Sequence, residues 1–181
     1  MSEVTRYALW LLPDAGVSDA FGDVIARLSA RYHGPRFTPH VTLLGWVTGA
    51  EQQLAEATAQ LAKQLRMLHL RSAGFDGEQY YFRCFYLKLE ATQELMQAHE
   101  QASLAFSAGH SSDYLPHLSL VYGQSTVADK ATLRQELVAI LPAQFSVDRL
   151  QLVHITVSVA DWRVVTTCTL GNASELPSQL T

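Results

Sequence analysis

The stretch Pro39-His40-Val41-Thr42-Leu43-Leu44-Gly45 recurs almost letter for letter as Pro116-His117-Leu118-Ser119-Leu120-Val121-Tyr122-Gly123. Both copies read Pro-His, apolar, hydroxyl, Leu, apolar, and both close on a Gly within two residues. In a strand, side chains alternate between faces. His40 and Thr42 then share one face, with Val41 and Leu43 on the other, and His117 and Ser119 repeat the arrangement. The fold must therefore bury two apolar back faces while keeping two imidazole–hydroxyl faces free. If the two strands meet across a cleft, two imidazoles confront each other with a hydroxyl beside each. Such a layout moves protons at two positions and hydrogen-bonds an oxyanion between them.

His-x-Thr/Ser alone is a weak pattern, and with 7 His in the chain roughly one chance match is expected. His154-Ile155-Thr156 is such a match. It lacks the leading Pro and the trailing Gly, and Val153 to Val159 reads as an ordinary alternating strand. The other histidines, His33, His69, His99 and His110, have no framed partner and default to surface or packing roles.

The chain of 181 residues suits one bilobal domain, 1–181, with a loose polar tail at 172–181. At 48% apolar and 17% charged residues it is globular in composition. Thirteen Lys and Arg stand against 17 acids, a net charge of -4, and neither motif is flanked by a basic cluster. Arg36 is the one cation close to the first motif and none lies within the second. Long RNA is therefore not an expected partner. Cys84 and Cys168 are too separated for a CxxC motif and read as buried free thiols. No leader or membrane span is apparent, which suggests the cytoplasm, and no obligate protein partner is indicated.

In chain order, Tyr7 to Leu12 reads as a strand stopped by Pro13. A helix follows on Val17, Phe21, Val24, Ile25 and Leu28, capped by Asp14 or Ser18 and ended by Gly34-Pro35. Arg36 to Trp46 carries the first motif, where Pro39 argues for an edge position or a bulge. Thr48-x-x-Glu51 reads as a capping box opening a helix through Leu54, Leu61, Leu65 and Leu68. Asp76-Gly77 is a hairpin turn leading into Gln79 to Leu89 as partner strand. Thr92 starts a helix, Leu115 to Gly123 is the second motif strand, and a last helix runs from Ala128 to Leu141. Phe145 to Val159 and Trp162 to Leu170 close the chain as two strands. The order suggests an α+β duplication, two antiparallel sheets with helices outside, around a central groove. Trp10 and Phe85 are aromatics that could stack a base, although apolar strand residues are usually core.

The paired motifs, with Arg36-Phe37-Thr38 before the first and Tyr7-Ala8-Leu9-Trp10 at the start, resemble the 2H phosphoesterase superfamily. The branch they are most similar to is the cyclic phosphodiesterases of plant and yeast type. The resemblance implies a bilobal fold, no metal or other cofactor, and a small substrate: a 2′,3′-cyclic nucleotide or ADP-ribose 1″,2″-cyclic phosphate. It carries the catalytic roles onto His40 and His117, and substrate contacts onto Thr42, Ser119 and Tyr122. Strict alternation puts Tyr122 on the face opposite His117, so it joins the site only if the strand bulges and otherwise packs. Three other readings compete: an RNA 2′,5′-ligase-like or RNA-end-processing phosphodiesterase, a module that binds such nucleotides without turnover, and a metallohydrolase using the two histidines. The last is chemically the poorest, because neither motif contains an aspartate and hydroxyls are weak ligands beside imidazole.

Overall fold

A computed structural model describes residues 5–108, 113–123 and 130–171. Residues 109–112, with His110, the start of the last helix at 128–129 and the tail from 172 lie outside the described residues. Among the described residues seven strands and four helices follow in the order β1 (Arg6–Pro13), α1 (Ala15–Tyr32), β2 (Val41–Val47), α2 (Glu51–Gln64), β3 (Leu68–Asp76), β4 (Phe85–Leu89), α3 (Gln93–Ala105), β5 (His117–Val121), α4 (Lys130–Val138), β6 (Gln144–Ile155) and β7 (Arg163–Thr169). This is the α+β class read from the motif order.

The strands join into one antiparallel sheet, β1-β2-β5-β4-β3-β6-β7, with β1 also paired to β6. Two halves remain recognisable within it. Strands β2, β1, β6 and β7 pair along their length, as do β3, β4 and β5. The halves meet where β3 takes the first residues of β6, Leu68 opposite Val147, and where β2 touches β5 through the single pair Val41–Leu118. The two sheets expected from the sequence are thus continuous, because β6 is 12 residues long and serves both.

One face of the sheet packs on the helices. Phe21, Val24, Ile25 and Leu28 of α1, Leu54 and Leu61 of α2, Leu95 and Ala102 of α3, and Leu133 and Leu137 of α4 share a single cluster with strand residues such as Leu11, Val41, Leu87, Leu118 and Leu150. The other face of β1 carries a smaller cluster of Ala8, Trp10 and Leu12 with Val153, flanked by Trp162. Both faces of β1 are therefore apolar and buried, as its unbroken hydrophobic run foretells.

The local signals fare unevenly. Asp14 caps α1 by accepting from the Gly16 amide at 2.8 Å, and Thr92 caps α3 by accepting from Leu95. The capping box at Thr48 does not form, and the N-cap of α2 is Ala50, which makes no side-chain cap. The Glu51 carboxylate is instead engaged by the two terminal guanidinium nitrogens of Arg163 and by the Tyr7 phenol. A charge-assisted fork outcompetes a single backbone amide. That helix stops at Gln64, so Leu68 opens β3. The expected long strand from Gln79 is shortened, since Tyr81–Arg83 form one turn of 3-10 helix and only Phe85–Leu89 pair. Cys84 is buried and Cys168 only half-buried, and neither is in a disulfide. Among the described residues no helix is long and apolar enough to cross a membrane.

Candidate active site

The single pair Val41–Leu118 is the geometric centre of the site. Both side chains are fully buried on the helix side, so their neighbours along each strand face the other way. One step to either side in antiparallel register sets His40 opposite Ser119 and Thr42 opposite His117. Each imidazole thus stands next to its own hydroxyl along the strand and across from the other motif's hydroxyl. The four residues expected from the repeated motif are brought together.

The two motifs share local geometry beyond sequence. His40 Nδ1 lies 2.6 Å from the Thr38 carbonyl oxygen, and His117 Nδ1 lies 2.7 Å from that of Leu115, two residues back in both cases. A carbonyl only accepts, so each Nδ1 donates its proton and each neutral imidazole is left with an unprotonated Nε2. Both strands also bulge immediately after the hydroxyl residue. Trp10 opposes Thr42 while Leu9 opposes Leu44, and Tyr86 opposes Ser119 while Phe85 opposes Val121. The extra residue turns Leu43 and Leu44, and likewise Leu120 and Val121, into the core as consecutive buried pairs.

The bulge answers the question of Tyr122. It rotates the chain by one residue, so Tyr122 falls on the histidine side, where its hydroxyl lies 3.4 Å from His40 Nε2. Its phenol is also within hydrogen-bonding reach of Ser119, and burial pushes its pKa up. Tyr122 therefore ties one motif to the other. The chain leaving α1 passes close behind it: a Cβ on Gly34 would sit 2.4 Å from the Tyr122 carbonyl oxygen. No side chain fits there.

The two imidazoles differ in surroundings. His40 is 4% exposed, stacked on Trp10 at 3.7 Å between ring centres and edged by Phe37 and Trp162. Burial lowers its pKa to about 4; the Thr38 carbonyl opposes that shift and His117 adds to it. His117 is half-buried against the edge of Tyr86. Its pKa is lowered by burial and by Arg83, with the Leu115 carbonyl and Glu78 pulling the other way. Ser119 donates its hydroxyl proton to the Phe82 carbonyl at 2.8 Å.

Aromatic walls complete the His40 side. Phe37 stacks on Tyr122 at 3.8 Å, Phe82 meets both Tyr122 and Trp162, and Trp162 meets Trp10. Of the two aromatics singled out from sequence, Trp10 belongs to this wall. Phe85 does not: it is fully buried in the helix-side core against Phe75. Phe82, Tyr86 and Trp162 went unnoticed, and only the pairing of β4 with β5 and the return of β7 place them here. His154 is turned to the opposite face, paired with Tyr7 and 5.5 Å from its ring. His99 is buried and bonded to the Leu43 carbonyl, His33 ends α1 in the left-handed conformation, and His69 meets Ser146 at the surface.

Comparison with known proteins agrees with this architecture. Residues 14–158 match the family described as the 2′-5′ RNA ligase superfamily. A cyclic phosphodiesterase of Arabidopsis thaliana is 28% identical over 184 residues, covering 94% of this chain and 99% of that protein. LigT of Escherichia coli, solved in its apo form, superposes with a TM-score of 0.58 at 18% identity, over 94% of this chain and 99% of its own. A Thermus thermophilus structure gives 0.65 at 15% identity, over 93% and 99%. At such identities the two structures share the fold.

Proposed function

Because the chain belongs to the 2′-5′ RNA ligase superfamily, the 2H phosphoesterase group its motifs resemble, we propose that it is a phosphodiesterase acting on a small cyclic phosphate. The substrate class is a 2′,3′-cyclic nucleotide or ADP-ribose 1″,2″-cyclic phosphate, opened to a phosphomonoester. The observation that carries this reading is the antiparallel junction at Val41–Leu118, which sets two imidazoles and two hydroxyls around one point. The likeness to the Arabidopsis cyclic phosphodiesterase supports the same class.

In-line opening needs a base on one side of phosphorus and an acid on the other. One imidazole accepts a proton from water through its free Nε2 as the water oxygen bonds to phosphorus. The bond from phosphorus to the departing sugar oxygen breaks, and that oxygen takes a proton from the other imidazole. Thr42 and Ser119 lie between the histidines, where they hydrogen-bond the non-bridging oxygens as charge builds. For Ser119 this means turning its hydroxyl away from the Phe82 carbonyl. His40, buried and neutral over most of the pH range, suits the base, and the more open His117 suits the acid. Tyr122 holds the His40 lone pair until the substrate arrives.

The direct test is incubation with 2′,3′-cyclic AMP in excess chelator, with the phosphomonoester followed by chromatography. Product is expected at undiminished rate. Tight binding without product would instead favour a nucleotide-binding module, and a chelator-sensitive rate a metallohydrolase.

The lowered pKa values fix where the pH optimum falls. Turnover requires one imidazole neutral and the other protonated, so kcat/KM should be bell-shaped. Both imidazoles are shifted below the ordinary histidine value, His40 to about 4, so both limbs should lie at lower pH than for an unperturbed pair. These limbs belong to the coupled pair. An anionic phosphate between the rings favours their protonated forms, so the limbs of kcat should sit at higher pH than those of kcat/KM. A profile flat from about pH 5 to 9 would exclude the two-histidine mechanism.

A further inference from the structure

The two motif strands share only the pair Val41–Leu118, and a reason lies close by in the register. Continued past Thr42 and His117, it sets Pro116 opposite Leu43, and a proline has no N–H to offer a facing carbonyl. The Pro116 carbonyl is itself taken by the Leu89 amide, on the β4 side. The strands therefore part beside Thr42, at the step where the site needs them held.

Two side chains take up the carbonyls left there. Tyr114 donates its hydroxyl proton to the Thr42 carbonyl at 3.1 Å, and His99 Nδ1 donates to the Leu43 carbonyl at 2.8 Å. Their rings stack at 4.0 Å between centres and 6° between planes. Successive carbonyls of a regular strand point to opposite sides, and one stacked pair reaches both here because β2 bulges after Thr42. His99 is buried on α3, and burial raises the pKa of the Tyr114 phenol, which stays a donor. Tyr114 directly precedes Leu115, whose carbonyl holds His117 Nδ1. One phenol thus ties the backbone of the first motif's hydroxyl residue to the segment that orients the second motif's histidine.

We infer that Tyr114, backed by His99, is a positioning residue for the reaction: it fixes the Thr42 hydroxyl relative to His117. The inference rests on the phosphodiesterase reading, in which that hydroxyl holds a non-bridging oxygen as charge builds. Tyr114 acts through the Thr42 backbone and does not itself meet the phosphate. The side it pulls against is the firmer one, since β5 pairs with β4 from His117 to Val121. Thr42 is the group that moves when the bond is lost.

Tyr114→Phe keeps the stacked ring and removes only the donor. With 2′,3′-cyclic AMP it should lower kcat about tenfold and leave KM in place, because a small misplacement is felt chiefly in the transition state. In a Thr42→Val background the same substitution should cost nothing further, since the hydroxyl it places is gone. Tyr7→Phe also loses one phenol hydrogen bond, to Glu51 and away from the site. It should match Tyr114→Phe in a small loss of Tm and leave kcat unchanged. NMR of the Thr42 methyl and the His117 ring gives a reading without turnover. In Tyr114→Phe the methyl signal should move and the ring signal, on the strand pinned to β4, should stay. An unchanged kcat, a loss confined to KM, or a loss that persists in full beside Thr42→Val overturns the proposal. So does a Thr42 signal that stays in place. If that signal moves as expected while the wild type cleaves no cyclic phosphate, the hold on Thr42 stands and the hydrolase reading falls.

Discussion

His40→Ala and His117→Ala are each expected to lower kcat/KM for a 2′,3′-cyclic nucleotide by at least about 10²–10⁴-fold, because each removes one of two required proton transfers. The two variants should differ in stability. His40 is 4% exposed and stacked on Trp10, so its removal leaves a cavity and a lower Tm. His117 is half-buried, and its removal should leave the thermal transition nearly in place. His117→Ala is thus the cleaner probe of chemistry. His154→Ala, on the opposite face beside Tyr7, should stay within a few-fold of wild type. If it is as damaging as the others, the two framed motifs are not the site. If His117→Ala retains turnover, proton transfer runs through some other group.

Ser119→Ala and Thr42→Val should each reduce kcat by about 10²–10³-fold with little change in KM. A hydroxyl opposite the partner histidine binds the non-bridging oxygens more strongly as negative charge accumulates, and so stabilises the transition state above the bound substrate. The loss at Ser119 carries a second signature. Its hydroxyl donates to the Phe82 carbonyl, so the alanine leaves that carbonyl unsatisfied as well, and the 3-10 turn at Tyr81–Arg83 should loosen. Hydrogen exchange at that turn should quicken in Ser119→Ala but not in Thr42→Val. Losses confined to KM would mean that the hydroxyls bind substrate and transition state equally.

Much of this site was legible in the chain itself. Two framed His-x-hydroxyl motifs separated His40 and His117 from the chance match at His154, because the frame reflects local needs: a Pro before the strand, apolar residues at its back and a Gly after it. Alternation was enough to place His40 with Thr42 and His117 with Ser119. The bulges also left a trace. Leu43-Leu44 and Leu120-Val121 are consecutive apolar pairs that strict alternation cannot bury together. Helix caps were read less well, since Thr48 matched a capping box while Glu51 found a stronger partner in Arg163, distant in sequence.

What the sequence by itself determined, then, was the α+β class, the two repeated His-x-hydroxyl motifs and the face each presents. These follow from periodicity and residue type, which act within one strand or one helical turn. The tertiary structure alone decided that the two motifs meet through Val41 and Leu118, that the halves of the sheet run together through β6, and that Tyr122 reaches His40. It also decided that Phe85 is core while Phe82 and Trp162 wall the groove. Each of these depends on which strands pair and in what register. A one-residue shift exchanges the faces of a whole strand, and that shift is set by packing between segments far apart in the chain, where local spacing carries no information.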